Sequence, residues 1–555
     1  MRIALLTESA FPTARSVEGG WCDRLTRGLP EHDFELYALG ATRRDPMPEP
    51  LPARLGRLRH GGSTGGLSGL AGHVGRSGGG PLTGGLYGPR RRRALTAYRE
   101  LVAALVEPGG ADGFGPALYA LAEAGRGGGL SSLLRSGAAL AIVEAAWRSP
   151  GARGTFGPGS VGEPLVRDAL VAVDLLERCL RPLSAPWYGP DALASADVCH
   201  AMDGGLGVLP GLIAAHDHGV PLIITEHSLH LRERARGYRT APYRWPVRAL
   251  LLAFFRLLAR EGYQRAGLIT PGSAYDRRWQ IHCGADPAVI RVVYQGTERA
   301  EGPAAGAEPE VPTLAWSGPI EPYGGLATML RAFVELRRRM PRAVLRIHGE
   351  APAGAGAYER RCRELARLVA PQDPDAVVFE EATAEPAAVH RRAGVLVFSG
   401  TNGAAPRLLA EAMLSGRPVV ATDTGAAREV VGPTGLLVPA EDPRALAAAC
   451  VALLGDAERR SRLGNAGRLR AQELYAVEPA ATAFRALYLE LVSGWPGPSP
   501  VRPDTAPATR QPFARQPFAR PADYWVAADA HGARGQAAPA HGGGRVGVPV
   551  EAGAG

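Results

Sequence analysis

Gly19-Gly20 lies in a turn that follows an apolar run at residues 3–6. A glycine pair that opens a helix after a strand can bring backbone N–H groups against a phosphate or a sugar, with the helix dipole adding to the attraction. Two other groupings have the composition of metal ligands. His216-Asp217-His218 falls directly before Gly219, where a charged helix C-cap explains it, and Asp373-Pro374-Asp375 carries a proline that makes it a turn. The six cysteines, at 22, 179, 199, 283, 362 and 450, are isolated and read as reduced thiols, so no zinc or redox pair is expected. The 63 basic residues are all arginine. Without lysine there is no Schiff-base chemistry and no Gly-Lys-Ser/Thr phosphate loop. Arginine, always charged, suits phosphate and carboxylate partners, and a net charge of +9 over 555 residues does not call for nucleic acid.

Elements able to position such groups are visible in the hydropathy pattern. Short apolar runs at 3–6, 34–39, 222–225 and 268–270 alternate with longer amphipathic ones, the pattern of βα units and a parallel sheet. A second series, at 314–316, 344–347, 377–379, 395–398 and 419–421, follows a breaker-rich segment. The expectation is an α/β chain of two doubly wound, Rossmann-like domains with a cleft between them. Residues 1–297 form the first domain, interrupted by a Gly/Arg-rich mobile loop at 61–93 and a helical insertion at 94–182. Residues 298–312 are the linker, 313–475 the second domain, 476–493 a closing helix and 494–555 a disordered Pro/Gly/Ala-rich tail. That tail carries a tandem Gln-Pro-Phe-Ala-Arg repeat at 511–520. The stretch 245–260, an apolar centre flanked by Arg244, Arg248, Arg256 and Arg260, reads as a core-facing helix whose arginines reach solvent. Lying on an anionic bilayer is its alternative. No apolar run reaches the ~20 residues a membrane span needs, and a cytoplasmic protein at the inner face of the plasma membrane is expected.

Several segments resemble one family. Glu8, Pro12, Trp21-Cys22-Asp23-Arg24-Leu25, Asp197-Val198-Cys199-His200-Ala201, Thr225-Glu226-His227 and Arg232-Glu233-Arg234 are similar to the PelF-type glycosyltransferases of exopolysaccharide synthesis. The likeness continues through residues 273–293, Tyr358, Cys362, residues 408–420 and 423–425, and covers roughly residues 1–490. It implies a GT-B fold and a retaining transfer from a nucleotide sugar to a saccharide acceptor, without an essential metal. The donor would lie on the C-terminal domain, against Glu411 (ribose), Gly318 and Gly425, with Gly19 and Gly20 approaching the diphosphate. His227 would position sugar at the reacting centre, and His200 and Glu226 would line the acceptor side.

Three positions depart from the family's pattern. The first acid of its Glu-x7-Glu element is Gly403 here, and the arginine and lysine that hold the diphosphate are Pro319 and Gly324. Because cationic side chains must stabilise the departing diphosphate, and losing one such donor typically costs ~10² to 10³ in rate, Arg407, four residues before Glu411 on the same helical face, is the candidate substitute. Two readings follow. One is an active hexosyltransferase with a nucleotide sugar, a saccharide acceptor and a membrane-associated polysaccharide synthase complex as partners. The other is a catalytically impaired relative that binds nucleotide or saccharide, or serves as a synthase subunit. A nucleotide-sugar epimerase shares the fold and ranks last.

Overall fold

A computed structural model describes residues 1–8, 17–40, 55–60, 85–107, 110–149, 152, 164–297, 306–352, 354–380, 386–401 and 406–494. The glycine-rich stretch at 61–84, residues 298–305 of the linker, Gly403 and the tail from 495 lie outside the described residues.

Strands β1 (Arg2–Thr7), β2 (Asp33–Ala38), β3 (Leu55–His60), β4 (Val198–Ala201), β5 (Leu222–Glu226) and β6 (Leu268–Pro271) form one sheet, ordered β3-β2-β1-β4-β5-β6 with every pair parallel. Ile3, Leu5 and Leu6 of β1 and Leu222, Ile223 and Ile224 of β5 are buried, as a parallel sheet covered on both faces requires. The second sheet contains β7 (Thr313–Ser317), β8 (Val344–His348), β9 (Val377–Phe379), β10 (Val395–Phe398), β11 (Val419–Thr422) and β12 (Gly435–Val438). Its order, β12-β11-β10-β7-β8-β9, is the first sheet's order read from the other edge. Each sheet reverses direction beside its first strand, between β1 and β4 and between β7 and β10. The carboxyl ends of those strands are where open α/β sheets bind ligands. β3 and β12 are sheet-edge strands that the apolar-run pattern does not reveal; β3, Leu-Gly-Arg-Leu-Arg-His, carries three polar residues in six.

Helix α1 (Val17–Gly28) follows β1. Between β3 and β4 the chain builds α2 (Gly88–Val106), α3 (Ala111–Gly125), α4 (Leu130–Leu134), α5 (Gly137–Arg148) and α6 (Val166–Leu180). Arg90 to Arg93, expected in a mobile loop, instead form the first turns of α2. Pro89 suits a helix start, arginine is a good helix former, and Ala94, Tyr98, Leu101 and Leu105 bury the stripe that follows. After α7 (Val208–His218) come α8 (His230–Thr240), α9 (Trp245–Arg265) and α10 (Ala274–His282). Gly219 closes α7 with φ +67, so the His-Asp-His triplet is indeed a helix end, and Asp217 pairs with Arg126 at 2.5 Å. In α9 Leu250, Leu251, Phe254, Phe255 and Leu258 are buried in the core that the α2–α6 insertion shares. Its apolar face is therefore covered, which removes the bilayer alternative, and no described helix is long and apolar enough to cross a membrane.

The second sheet carries α11 (Leu326–Arg339), α12 (Gly356–Val369), α13 (Pro386–Arg391), α14 (Pro406–Leu414), α15 (Ala427–Val431), α16 (Pro443–Leu454) and α17 (Ala457–Leu474). The last helix, α18 (Val477–Ser493), returns to the first domain. Phe484, Leu487, Tyr488 and Leu491 pack there with Trp21, Leu25 and Leu29. The crossing is pinned where the Thr297 N–H and hydroxyl both donate to the Tyr475 carbonyl, at 2.7 and 2.9 Å. Across the cleft, the Glu429 carboxylate of α15 accepts the backbone N–H of Ala274 (2.9 Å) and of Tyr275 (3.4 Å). An acid at the first turn of α10 gains from both the unpaired N–H groups and the helix dipole.

Candidate active site

The carboxyl ends of both sheets open on one cleft of about 1320 Å³. Asp203, Glu226, His227 and α8 form its N-terminal wall, and the loops after β7, β10 and β11, with the start of α14, form the other.

Two stripes of α8 divide its work. Residues two apart on a helix lie about 200° apart around the axis, whereas residues four apart share a face. His230 and Arg234 face the first domain. Arg234 forms an ion pair with Glu8, and its Nε donates to His230 Nε2 at 3.0 Å. Glu8 Oε2 accepts the Leu206 N–H, while Asp203 accepts the N–H of Gly205 (2.7 Å) and of Glu8 (3.3 Å). Glu8, Asp203 and His230 lie close enough to chelate a cation. The Arg234 guanidinium already supplies the positive charge inside that group, so its donor set fits an arginine better than a dication. Burial, which Glu8 partly offsets, pushes His230 down to about 4, so it accepts this bond as a neutral ring.

Glu226 is buried beneath the cleft floor. Tyr263 Oη and the Gln280 side-chain amide donate to its carboxyl, the latter at 2.8 Å, and the His230 N–H reaches it at 3.4 Å. Burial outweighs these bonds and pushes the carboxyl up to about 7. The folded chain therefore holds a proton that the unfolded chain releases near the ordinary value of 4.5. Stability from this group is complete below 4.5 and falls as pH rises to about 7, by ~3 kcal/mol at most. Asp276, raised to about 6 by burial, acts with the same sign. Glu226→Gln should flatten the loss: between pH 5 and 8 the wild-type melting temperature should drop clearly more than the variant's, and equal drops would refute the protonated carboxyl.

His227 follows β5 at the cleft wall. Its ring stands edge-on to Trp21, centroids 5.0 Å apart, and both ring nitrogens are buried without a hydrogen-bond partner. Burial, then the charges of Arg24 and His200, push it to about 3. A neutral imidazole offers one N–H donor and one lone pair, a match for a sugar hydroxyl.

On the opposite wall, Gly318, Pro319 and Gly324 follow β7, and Gly425 follows β11 with φ +59. A Cβ on Gly324 would lie 2.1 Å from the Pro319 carbonyl oxygen. Position 324 is thus closed to any side chain by backbone, in a 3₁₀ turn at Pro322–Gly324. Gly325 is tighter still, with φ +75 and a Cβ position 1.8 Å from the Ser399 carbonyl oxygen. Ser399 Oγ accepts from Trp316 Nε1 and donates to the Gly325 carbonyl, both at 2.9 Å. Arg407 lines the cleft and forms an ion pair with Glu411 one turn further along α14.

The structure thus brings His227, Glu226, Gly318, Gly425 and Arg407 to one cleft, with Glu411 held behind Arg407. His200 is not on the acceptor side. It is fully buried within the first sheet, Nδ1 2.7 Å from Tyr488 Oη and Nε2 2.6 Å from Thr225 Oγ1, tying β4 to β5 and α18. Successive residues of a strand point to opposite faces; both faces of this sheet are covered, and β4 turns His200 toward α18. Gly19 and Gly20 lie within the first turn of α1, Gly20 buried, and neither is among the described residues lining the cleft. Sequence reasoning missed Asp203, His230 and the cleft-facing Arg232 and Arg236; the four-residue spacing of the two arginines was the available signal.

Two doubly wound sheets with a shared cleft at their switch points define a protein of the GT-B class. The chain belongs to the family described as a domain of unknown function, DUF3492, which matches residues 1–288, and residues 311–456 match glycosyl transferases group 1. It is 29% identical over 264 residues to the D-inositol 3-phosphate glycosyltransferase of Nocardia farcinica, 44% of this chain and 56% of that protein. It is 30% identical over 294 residues to the protein of the same name from Kineococcus radiotolerans, 47% of this chain and 64% of the relative. The chain therefore spans between about half and two thirds of these relatives. Sucrose-phosphate synthase from Thermosynechococcus elongatus shares its fold at TM-score 0.55 and 19% identity, covering 89% of this chain and all of that one. HepE of Anabaena, solved with UDP and glucose, shares it at TM-score 0.53 and 13% identity, covering 88% and 99%.

Proposed function

We propose that the chain is a retaining hexosyltransferase of the PelF-like branch, moving a sugar from a nucleotide sugar to a saccharide acceptor in exopolysaccharide or cell-surface glycan synthesis. It works in the cytoplasm, with a polysaccharide synthase complex as its partner and without a metal. The observation that carries this reading is the unpartnered imidazole of His227 on the wall of a cleft formed by the carboxyl ends of two Rossmann-like sheets. The name of the curated relatives, D-inositol 3-phosphate glycosyltransferase, supports glycosyl transfer, and HepE, solved with UDP and glucose, supports a nucleotide-sugar donor. The nucleotide lies against Gly318, Gly425 and the start of α14, with Glu411 at the ribose. The acceptor enters from the α8 side, and His227 holds a hydroxyl of the transferred sugar. Excluding water from the cleft limits hydrolysis, in which water competes as acceptor.

The closed turn at Gly324 and the proline at 319 favour one second reading, a relative that binds nucleotide or saccharide without turnover. Purified protein incubated with a panel of nucleotide sugars, with nucleotide release and thermal shift both recorded, separates the two. Nucleotide release supports the transferase. Ligand-induced stabilisation with no release or transfer would leave only the binding protein, and no shift with any nucleotide would remove both.

A further inference from the structure

We propose that the α8 arginines, Arg236 foremost, reach across the cleft from the first domain to hold the diphosphate of the donor; the proposal rests on the nucleotide-sugar reading above. A departing diphosphate needs cationic donors aimed at it, and the described residues lining the cleft include three arginines, Arg232, Arg236 and Arg407. Arg407 is engaged by Glu411. Arg232 donates to Tyr275 Oη at 2.8 Å and lies over that ring. Arg236 is held differently. Its guanidinium carbon lies 5.7 Å from the ring centre of Tyr323, which belongs to the second domain and directly precedes Gly324. Stacking on a ring leaves the edge N–H donors of a guanidinium available.

The placement is determined by the helix. Because His230 and Arg234 anchor one face of α8 to Glu8, the opposite face must carry residues 232 and 236 toward the second domain. Arg236 thereby lines the same cavity as Pro319 and Gly324, the two positions that carry no cation, with Tyr323 as the platform that sets its height. Glu321 and Glu233 are the acids whose charge it feels. Burial raises Glu321, and the charge of Arg236 lowers it. A cation supplied from across the cleft also couples ligand binding to closure, since the diphosphate would bridge both domains.

The test is calorimetric titration of the full chain with UDP, GDP and ADP and with the matching monophosphates, on wild type, Arg236→Ala and Arg236→Lys. Whichever base binds, Arg236→Ala should weaken the diphosphate about tenfold or more while changing the monophosphate by less than about twofold, because a charge-assisted bond is lost only at the outer phosphate. Arg236→Lys should recover part of the loss. Unchanged monophosphate affinity also shows that the alanine variant is folded. Diphosphate binding equal in wild type and Arg236→Ala would overturn the proposal and leave the nucleotide-sugar reading standing. Failure of every nucleotide to bind the wild type would overturn both.

Discussion

Gly325→Ala should destabilise the chain by ~3 kcal/mol or more and abolish nucleotide binding, whereas Gly219→Ala should cost only ~1 kcal/mol. Both glycines have positive φ, +75 and +67, so both variants meet the same intrinsic penalty for an L residue. They differ in space. Nothing lies within 4 Å of a Cβ at Gly219, but one at Gly325 would sit 1.8 Å from the Ser399 carbonyl oxygen. That oxygen belongs to backbone at the end of β10, and Ser399 also bridges Trp316 to the Gly325 carbonyl. Relief therefore means separating the β7–α11 turn from β10, which opens the switch point where the donor would bind. Urea unfolding of the two variants, followed by nucleotide titration of the survivors, reads both effects. Equal destabilisation by the two substitutions would show that the close approach is not what holds this turn.

His227→Leu should lower nucleotide-sugar turnover by ~10² with little change in stability, and His200→Phe should do the reverse. The two imidazoles are both driven to about 3 by burial, so both are neutral rings, and titration does not distinguish them. Their partners do. His200 bonds Tyr488 and Thr225; replacing it strands the buried Tyr488 hydroxyl, at ~1–3 kcal/mol, and leaves Thr225 with its hydroxyl bond to Thr270. His227 has no partner to strand, and leucine keeps most of its bulk against Trp21. Melting temperatures together with turnover per folded molecule decide the matter. Turnover retained in His227→Leu would exclude a role at the sugar, and turnover lost in a fully stable His200→Phe would return that residue to the acceptor side.

Much of the architecture is legible along the chain because parallel strands buried on both faces must be apolar without interruption. Runs such as residues 3–6 and 395–398 coincide with β1 and β10 for that reason. Arg90 to Arg93 were misjudged on the strength of their glycine-rich surroundings, when Pro89 and the apolar stripe from Ala94 to Leu105 already specified a helix. At the site, adjacency in sequence misled in the same way. His200, Glu226 and His227 each sit on or directly after a strand of one sheet, yet one is sealed in the core, one is a protonated floor, and one lines the cleft with its ring nitrogens buried.

Composition and pattern by themselves determined two doubly wound domains and a chain without lysine chemistry. Such features follow from residue type and period, which need no partner to be read. The tertiary structure alone decided that the place at 324 is closed by the Pro319 carbonyl and that Arg236 stands across from it on Tyr323. The first depends on how one short turn folds back on itself, and the second on the packing of segments more than eighty residues apart, joined through a cleft whose walls belong to different domains, and no local pattern carries that distance.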